Sequence, residues 1–238
     1  MSELNLWEKT LASATNLPFV KVNRIDFLTR EIKARYNGEF DLEHQIPSDF
    51  LNNEVLGKIA EGCIKYHLTI ATTTSAATGI PGGIFMLGTI PADIVQTYAH
   101  ALCLMQKLLY IYGFEDLNVK EGKVDDETLQ ILTIYMGVML GANSAIKFSN
   151  NMLAKLSVES AKRIPRYALT KFGIYQVSKE ISKWLGISLT KATFSRGISK
   201  FIPLIGAPIS GGLTYITFKK MAYRLNGHLR DINMMKNS

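Results

Sequence analysis

Cysteine is nearly absent: the chain of 238 residues holds two, Cys63 and Cys103, both in apolar, helix-like surroundings. That excludes a disulfide framework and fits a reducing compartment. Signatures of known chemistry are missing too. There is no H-E-x-x-H and no C-x-x-C, so zinc patterns are absent. Gly83 and Gly88 have the glycine spacing of a phosphate loop, but Thr89 stands where its lysine belongs. Gly82 and Gly83 follow no strand, which removes a dinucleotide fingerprint, and no cofactor pattern remains. The four histidines, His44, His67, His100 and His228, are scattered, and no G-x-S-x-G elbow supports a serine nucleophile. No β-alternation of useful length occurs. The N-terminus, MSELNLWEKTLASATNL, carries early acids and no apolar core of signal-peptide type.

Charge is missing from one long stretch. Between His67 and Lys107 the only formally charged residue is Asp93. Its first part, Gly79 to Pro91, is punctuated by Gly79, Pro81, Gly82, Gly83 and Pro91, read as turns and caps. Its second part predicts a helix over 92–112. Thr89 can cap it, Pro91 suits a first turn, and Asp93 suits the positive end of the helix dipole. Ile94, Tyr98, Ala101, Met105, Leu108 and Tyr112 recur in steps of four and three, with Val95, Leu102 and Leu109 widening the face. A thin polar seam remains: Asp93, Gln96, His100 and Lys107. Gly113 can take the left-handed conformation that ends a helix, with Phe114 folding back.

Asp93, Gln96 and His100 form a candidate buried polar site. Asp93 and His100 share a helical face two turns apart, so a third group would have to join them in proton or metal chemistry. The plainer reading is preferred: Asp93 serves the helix start and His100 is a satisfied core histidine.

What is present is apolar mass, 47% of the residues, and a mean hydropathy of +0.09. Amphipathic helices are expected over 4–14 and 22–36, the second with Ile25, Leu28, Ile32 and Tyr36 in register. An acidic loop covers 37–48, and Ser48 is expected to cap a helix over 49–68. The run ATTTSAAT suits close helix packing or a turn. Asp125 is expected to cap an uncharged helix over 128–146, where Gly137 and Gly141 form a close-approach pair. In the basic region Ile174, Val177, Ile181, Trp184 and Leu185 form a stripe, and Gly186 is expected to end that helix. The segment 201–218, FIPLIGAPISGGLTYITF, is a second uncharged Gly/Pro-rich stretch, with Pro203, Gly206, Gly211 and Gly212 read as turns. It weakly echoes GTIPADIVQTY. The class is all-α: N-terminal amphipathic helices and acidic loop over 1–48, then one multi-helix domain over 49–238. No segment makes a strong transmembrane helix.

The charge is split. Residues 1–146 hold 11 Lys/Arg against 17 Asp/Glu, a net of −6; residues 147–238 hold 16 against 3, a net of +13. Lys162, Arg163, Arg166, Lys171, Lys179, Lys183, Lys219, Lys220 and Arg224 are therefore candidate contacts for an anionic membrane surface. Nucleic acid is the weaker candidate, because no reading motif or aromatic interleaving accompanies the basic residues.

The runs GIPGGIFMLGTIPAD, QKLLYIYGFEDL and FIPLIGAPISGGLTY together resemble the EcsC-like family of bacterial proteins, over roughly residues 56–229. A looser similarity links the chain to helical domains that follow some bacterial GTPase domains, although no GTPase motif occurs. The EcsC-like family is named after a protein encoded beside an ABC transporter. The resemblance implies bacterial origin, membrane association at the inner face of the cell membrane, and a link to transport or secretion. It implies no catalytic activity and says nothing of oligomeric state. Three functions are expected from this: a non-enzymatic membrane-associated accessory or interaction protein, which leads; a soluble helical domain binding an apolar or lipid ligand; and a pore-forming or membrane-perturbing protein. Cell fractionation separates the first two, and dye leakage from liposomes isolates the third.

Overall fold

A computed structural model describes residues 3–78, 86–87, 90–117, 119–120, 123–155, 171–199 and 203–236. Eight α-helices lie among them, with two antiparallel ladders of two residues each, and the class is all-α. Gly79, Pro81, Gly82, Gly83, Lys162, Arg163 and Arg166 lie outside the described residues.

Helix α1 (Glu3–Thr15) buries Trp7, Leu11 and Ala14 at steps of four and three. Helix α2 (Arg24–Lys33) starts where the Asn23 side chain accepts from the Asp26 N–H. It buries Phe27, Leu28 and Ile32 and leaves Ile25 exposed, so the stripe expected through Ile25 is rotated by the capped start. A 3-10 turn (Pro47–Asp49) follows, its Asp49 carboxylate accepting from the Ile46 N–H. The helix expected from Ser48 instead begins later. Helix α3 (Asn53–Thr78) is capped by Asn52 Oδ1, which accepts from the Val55 N–H at 2.9 Å. It runs straight through ATTTSAAT. Thr69 and Thr73 donate their hydroxyls to carbonyls four residues back, which keeps them compatible with helix.

Strands β1 (Met86–Leu87) and β2 (Ile90–Pro91) form a short hairpin that holds Pro91 and delivers the chain into helix α4 (Ala92–Ile111). Helix α4 is the centre of the fold, touching α1, α2 and α3 as well as later helices. Its lower half is enclosed on every side: Leu102, Leu104, Met105, Leu108, Leu109, Tyr110 and Ile111 are all fully buried. Its end is the predicted one. Gly113 has φ 89, its N–H donates to Tyr110 O, and the Phe114 N–H donates to Leu109 O at 3.0 Å, a Schellman closure. Phe114 then packs edge-on against Tyr135, with ring centres 5.5 Å apart.

Strands β3 (Val119–Lys120) and β4 (Lys123–Val124) lead to helix α5 (Asp126–Leu140), capped by Asp125 as expected. The uncharged segment is not one helix but two: α5, then α6 (Asn143–Lys155). Gly141 separates them at φ 78, with the Ala142 N–H donating to Gly137 O. Both glycines give a close approach: a Cβ at Gly137 would lie 2.6 Å from Ala145 Cβ and 2.8 Å from Val177 Cγ1, and one at Gly141 would lie 2.6 Å from Arg224 Nη1.

Helix α7 (Lys171–Ser199) passes unbroken through Gly186, and α8 (Pro203–Lys236) through Gly206, Gly211 and Gly212. The expected turns at these four glycines are thus corrected. Of the described glycines only Gly113 and Gly141 have positive φ, so only they end helices in a left-handed cap. Pro203 keeps a helix-start role, at the first position of α8. The echo between the two Gly/Pro segments is not structural, because one straddles β2 and α4 while the other lies inside α8.

Residues 1–48 do not stand apart. Trp7, Leu11, Leu28 and Ile32 belong to the same core as α4, α5 and α8, and Trp7 Nε1 donates to Thr133 Oγ1 on α5 at 3.1 Å.

Two glycine experiments follow from these contacts. Gly113→Val should lower stability by about 1 kcal/mol or more, since β-branched residues resist positive φ. Gly137→Ala should cost about 1–3 kcal/mol by overpacking, whereas Gly57→Ala should gain up to about 1 kcal/mol, because nothing lies within 4 Å of a Cβ there. Urea denaturation reads all three, and an unchanged midpoint for Gly113→Val or Gly137→Ala contradicts the assigned role.

Candidate functional site

Helices α3 and α4 pack along their lengths. Cys63 and His67, four apart, face inward from α3. His100, Cys103 and Lys107, at steps of three and four, face them from α4. These five side chains are the main concentration of titratable groups in the described interior. His67 Nε2 lies 2.9 Å from Lys107 Nζ. The two imidazole centres are 5.7 Å apart, and Phe19, from the α1–α2 link, stacks on His100 at 4.7 Å. Lys107 Nζ sits over the ring of Tyr66 at 5.2 Å and of Phe27 at 5.6 Å. Both histidines are almost fully buried, at 2% and 6% exposure.

Burial sets the ionisation here. Desolvation, helped by the Lys107 charge, pushes His67 down to about 2 and also lowers His100. Desolvation pushes the Cys63 thiol up to about 12 and raises Cys103, with Lys107 opposing in both cases. At neutral pH the seam therefore holds two neutral imidazoles, two thiols and one ammonium. Both cysteines are free. The donor atoms of Cys63, His67, His100 and Cys103 do not converge on a common point. Among the described residues the only group close enough to share an ion is Asp41, Glu43 and His44, all exposed on the acidic loop.

The expected polar site is only partly assembled. His100 is buried as anticipated but is not satisfied: both ring nitrogens lack a partner, and its neighbours are the rings of His67 and Phe19. Asp93 lies in the first turn of α4, consistent with the helix-start reading, and its side chain falls outside the described set. Gln96 is half-buried. Sequence reasoning passed over Gln106, which is fully buried. Its Nε2 donates to Val20 O at 2.7 Å and to Leu102 O at 3.1 Å, and its Oε1 accepts from the Val22 N–H at 3.4 Å. An amide among the apolar residues of the second half of α4 was the available signal.

A second polar group joins α5, α6 and α8. Ser149 Oγ lies 2.9 Å from His228 Nε2 and is hydrogen-bonded to the buried Tyr135 phenol. Asp231 acts on His228 only through space. Ser149 is fully buried, so it cannot meet a substrate, and the trio ties helices together.

Of the basic candidates, Lys179 and Lys183 on α7 and Lys219 and Lys220 on α8 are exposed, and none pairs with a carboxylate among the described residues. Lys171 opens α7 with its side chain outside the described set. Arg224 is exposed as well and also serves the fold. Its Nη1 donates to Met139 O at 2.9 Å, and its guanidinium packs over Gly141 at the end of α5.

Among the described residues no helix is long and apolar enough to cross a membrane. Protein-family models, curated proteins and solved structures were each compared with the chain, and none matches.

The histidines make stability pH-dependent. His67 is lowered in the folded state, so its contribution is complete above the unfolded value near 6.5 and is lost as pH falls below it. The slope from His67 alone should approach about 1.4 kcal/mol per pH unit between pH 6 and 4. His67→Gln should flatten it by that amount. An identical slope in wild type and variant, read by denaturation at stepped pH, contradicts the buried neutral assignment.

Proposed function

We propose that this chain is a non-enzymatic, membrane-associated helical protein that attaches reversibly to the anionic inner face of a bacterial cell membrane and acts there as an accessory or interaction module. The observation that carries the reading is one outward stripe of α8. Tyr215, Ile216, Lys219, Lys220 and Tyr223 are all exposed, fall on one side of the helix, and line a shallow open hollow of about 440 Å³. Lys219 Nζ lies over the Tyr215 ring at 5.6 Å, and Tyr223 donates its hydroxyl to Glu61 Oε1 at 2.7 Å. Amphipathic rings with an aliphatic residue between them and lysines alongside match the chemistry of a headgroup layer, where tyrosine and lysine put apolar stems inward and polar ends into water. The exposed side of α7 repeats the composition with Tyr175, Lys179, Lys183, Trp184 and Ile187. The resemblance to EcsC-like proteins supports the membrane setting and the link to transport or secretion.

Each lysine near an anionic surface contributes roughly 1 kcal/mol, and salt screens the attraction over about 8 Å. Four lysines and a few apolar side chains suffice for reversible attachment. Co-sedimentation with liposomes should therefore require anionic lipid and weaken with added salt. Changing Lys179, Lys183, Lys219 and Lys220 to Gln should weaken it by at least about tenfold. Equal binding to neutral and anionic vesicles, or none to either, refutes the proposal.

A further inference from the structure

The α3–α4 seam has more hydrogen-bond donors than acceptors. A neutral imidazole carries one N–H and one lone pair. His67 gives its lone pair to Lys107 through Nε2, so its proton sits on Nδ1, which is buried with no partner. Both ring nitrogens of His100 are likewise buried with no partner, and one of them carries a proton whichever tautomer is present. Lys107 adds an ammonium that is half-buried and pairs with no carboxylate among the described residues. Glu31, the one carboxylate felt by Cys63, is already held by Arg30 and Arg35. The thiols of Cys63 and Cys103 are kept protonated by burial and add no negative charge. Two imidazole N–H groups and an ammonium thus meet one remaining lone pair on His100. Buried donors left in this state are costly, and the deficit is of acceptor atoms and negative charge.

The seam lies next to the surface. Phe19 covers His100 while remaining 40% exposed, and Tyr66, edge-on to His67, is 57% exposed. A metal cation has the wrong charge for this place. Lys107 occupies the His67 lone pair, and the cysteine and histidine donors do not converge.

We propose that the α3–α4 seam binds a small oxyanion, a carboxylate or phosphate group, between Lys107, His67 and His100, with Phe19 as the side chain that covers it. This site is separate from the α8 stripe and does not rest on the membrane reading.

The test is titration of the full chain at pH 7 with sodium phosphate and, separately, sodium acetate, each against sodium chloride at equal ionic strength. Melting temperature and the histidine ring ¹⁵N resonances are followed. A saturable rise in melting temperature with at least one oxyanion is expected, accompanied by shifts of the His67 and His100 resonances. Lys107→Met should weaken binding about tenfold or more, as should His100→Phe, which keeps the ring stack and removes the nitrogens. Lys219→Gln with Lys220→Gln should leave it unchanged, which separates a free anion in the seam from phosphate captured on the basic surface. The proposal is overturned if neither oxyanion gives a saturable effect and the ring resonances stay still, because water then completes the seam. It is equally overturned if binding survives both Lys107→Met and His100→Phe. Should His100→Phe fail to fold, the wild-type ring resonances and Lys107→Met decide the matter.

Discussion

Helix α4 has almost no side that can face water, and the rest of the molecule is arranged to enclose it. A helix apolar all round its circumference is stable only when neighbours cover every face. Here α1, α2, α3, α5 and α8 supply them. Enclosure obliges each polar atom on α4 to find a partner, because an unpaired buried group forfeits its hydration. Gln106 binds the α1–α2 link, the Tyr110 hydroxyl accepts from the Leu117 N–H, and Tyr112 donates to Asn226 on α8. Arg24 completes the wrapping: its guanidinium donates to Phe114 O and Leu42 O, pinning the acidic loop to the end of α4. The side chains that make α4 a polar exception are therefore also what locks its neighbours in place. His100 alone on this helix has both ring nitrogens unpartnered, which is why the seam beside it invites a ligand.

Local signals were readable in the sequence where the deciding physics is itself local. The end of α4 with its Gly113 closure and the Asp125 cap each depend on atoms within five residues, whereas Pro91 lies in β2 ahead of α4 rather than in its first turn and Thr89 is outside the described residues. Glycine was over-read as punctuation elsewhere. A glycine ends a helix when the chain takes a positive φ, and that choice at Gly141 but not at Gly186, Gly206, Gly211 or Gly212 is made by what the next segment packs against. After Gly141 the chain must turn so that Ala145 and Val177 can close on Gly137, and Arg224 caps the carbonyl freed by the turn. None of those partners is within reach of a local pattern. The same limit misplaced the start of α3, where Pro47 and Asp49 build their own short turn ahead of the Asn52 cap.

The candidate site was half legible for a related reason. His100 stood out as a polar residue in a largely apolar helix, and Lys107 stood in the same seam. Their partners come from α3 and from the α1–α2 link, at sequence distances that no helical period encodes: His67 lies 40 residues from Lys107, and Phe19 stacks across from another element altogether. Asp93 shares the helical face of His100, yet face-sharing at two turns is not contact, and the tertiary neighbours took its place. Composition announced the basic half of the chain without distinguishing its members. Arg224, though exposed, ties itself to a helix end, while Lys219 and Lys220, on the same helix, make no such bond to the backbone.

The charge asymmetry then acquires a physical sense that the residue counts alone lacked. An acidic half folded against a basic half could neutralise it internally, and Glu61 does accept from Tyr223 on α8, but the described ion pairs of α2 and α3 are local: Glu31 with Arg30 and Arg35, Glu54 with Lys58, and Glu61 with Lys65. Such pairs at spacings of one to four residues contribute little to stability, yet they keep those carboxylates with near neighbours. The lysines of α7 and α8 are left facing solvent beside exposed aromatic rings. Folding alone gives little reason for that arrangement, since unpaired surface lysines add nothing to the core and exposed rings lose burial. On the membrane reading proposed above, a layer of anionic lipid is the one surface that supplies both the negative charge and the apolar contact from outside.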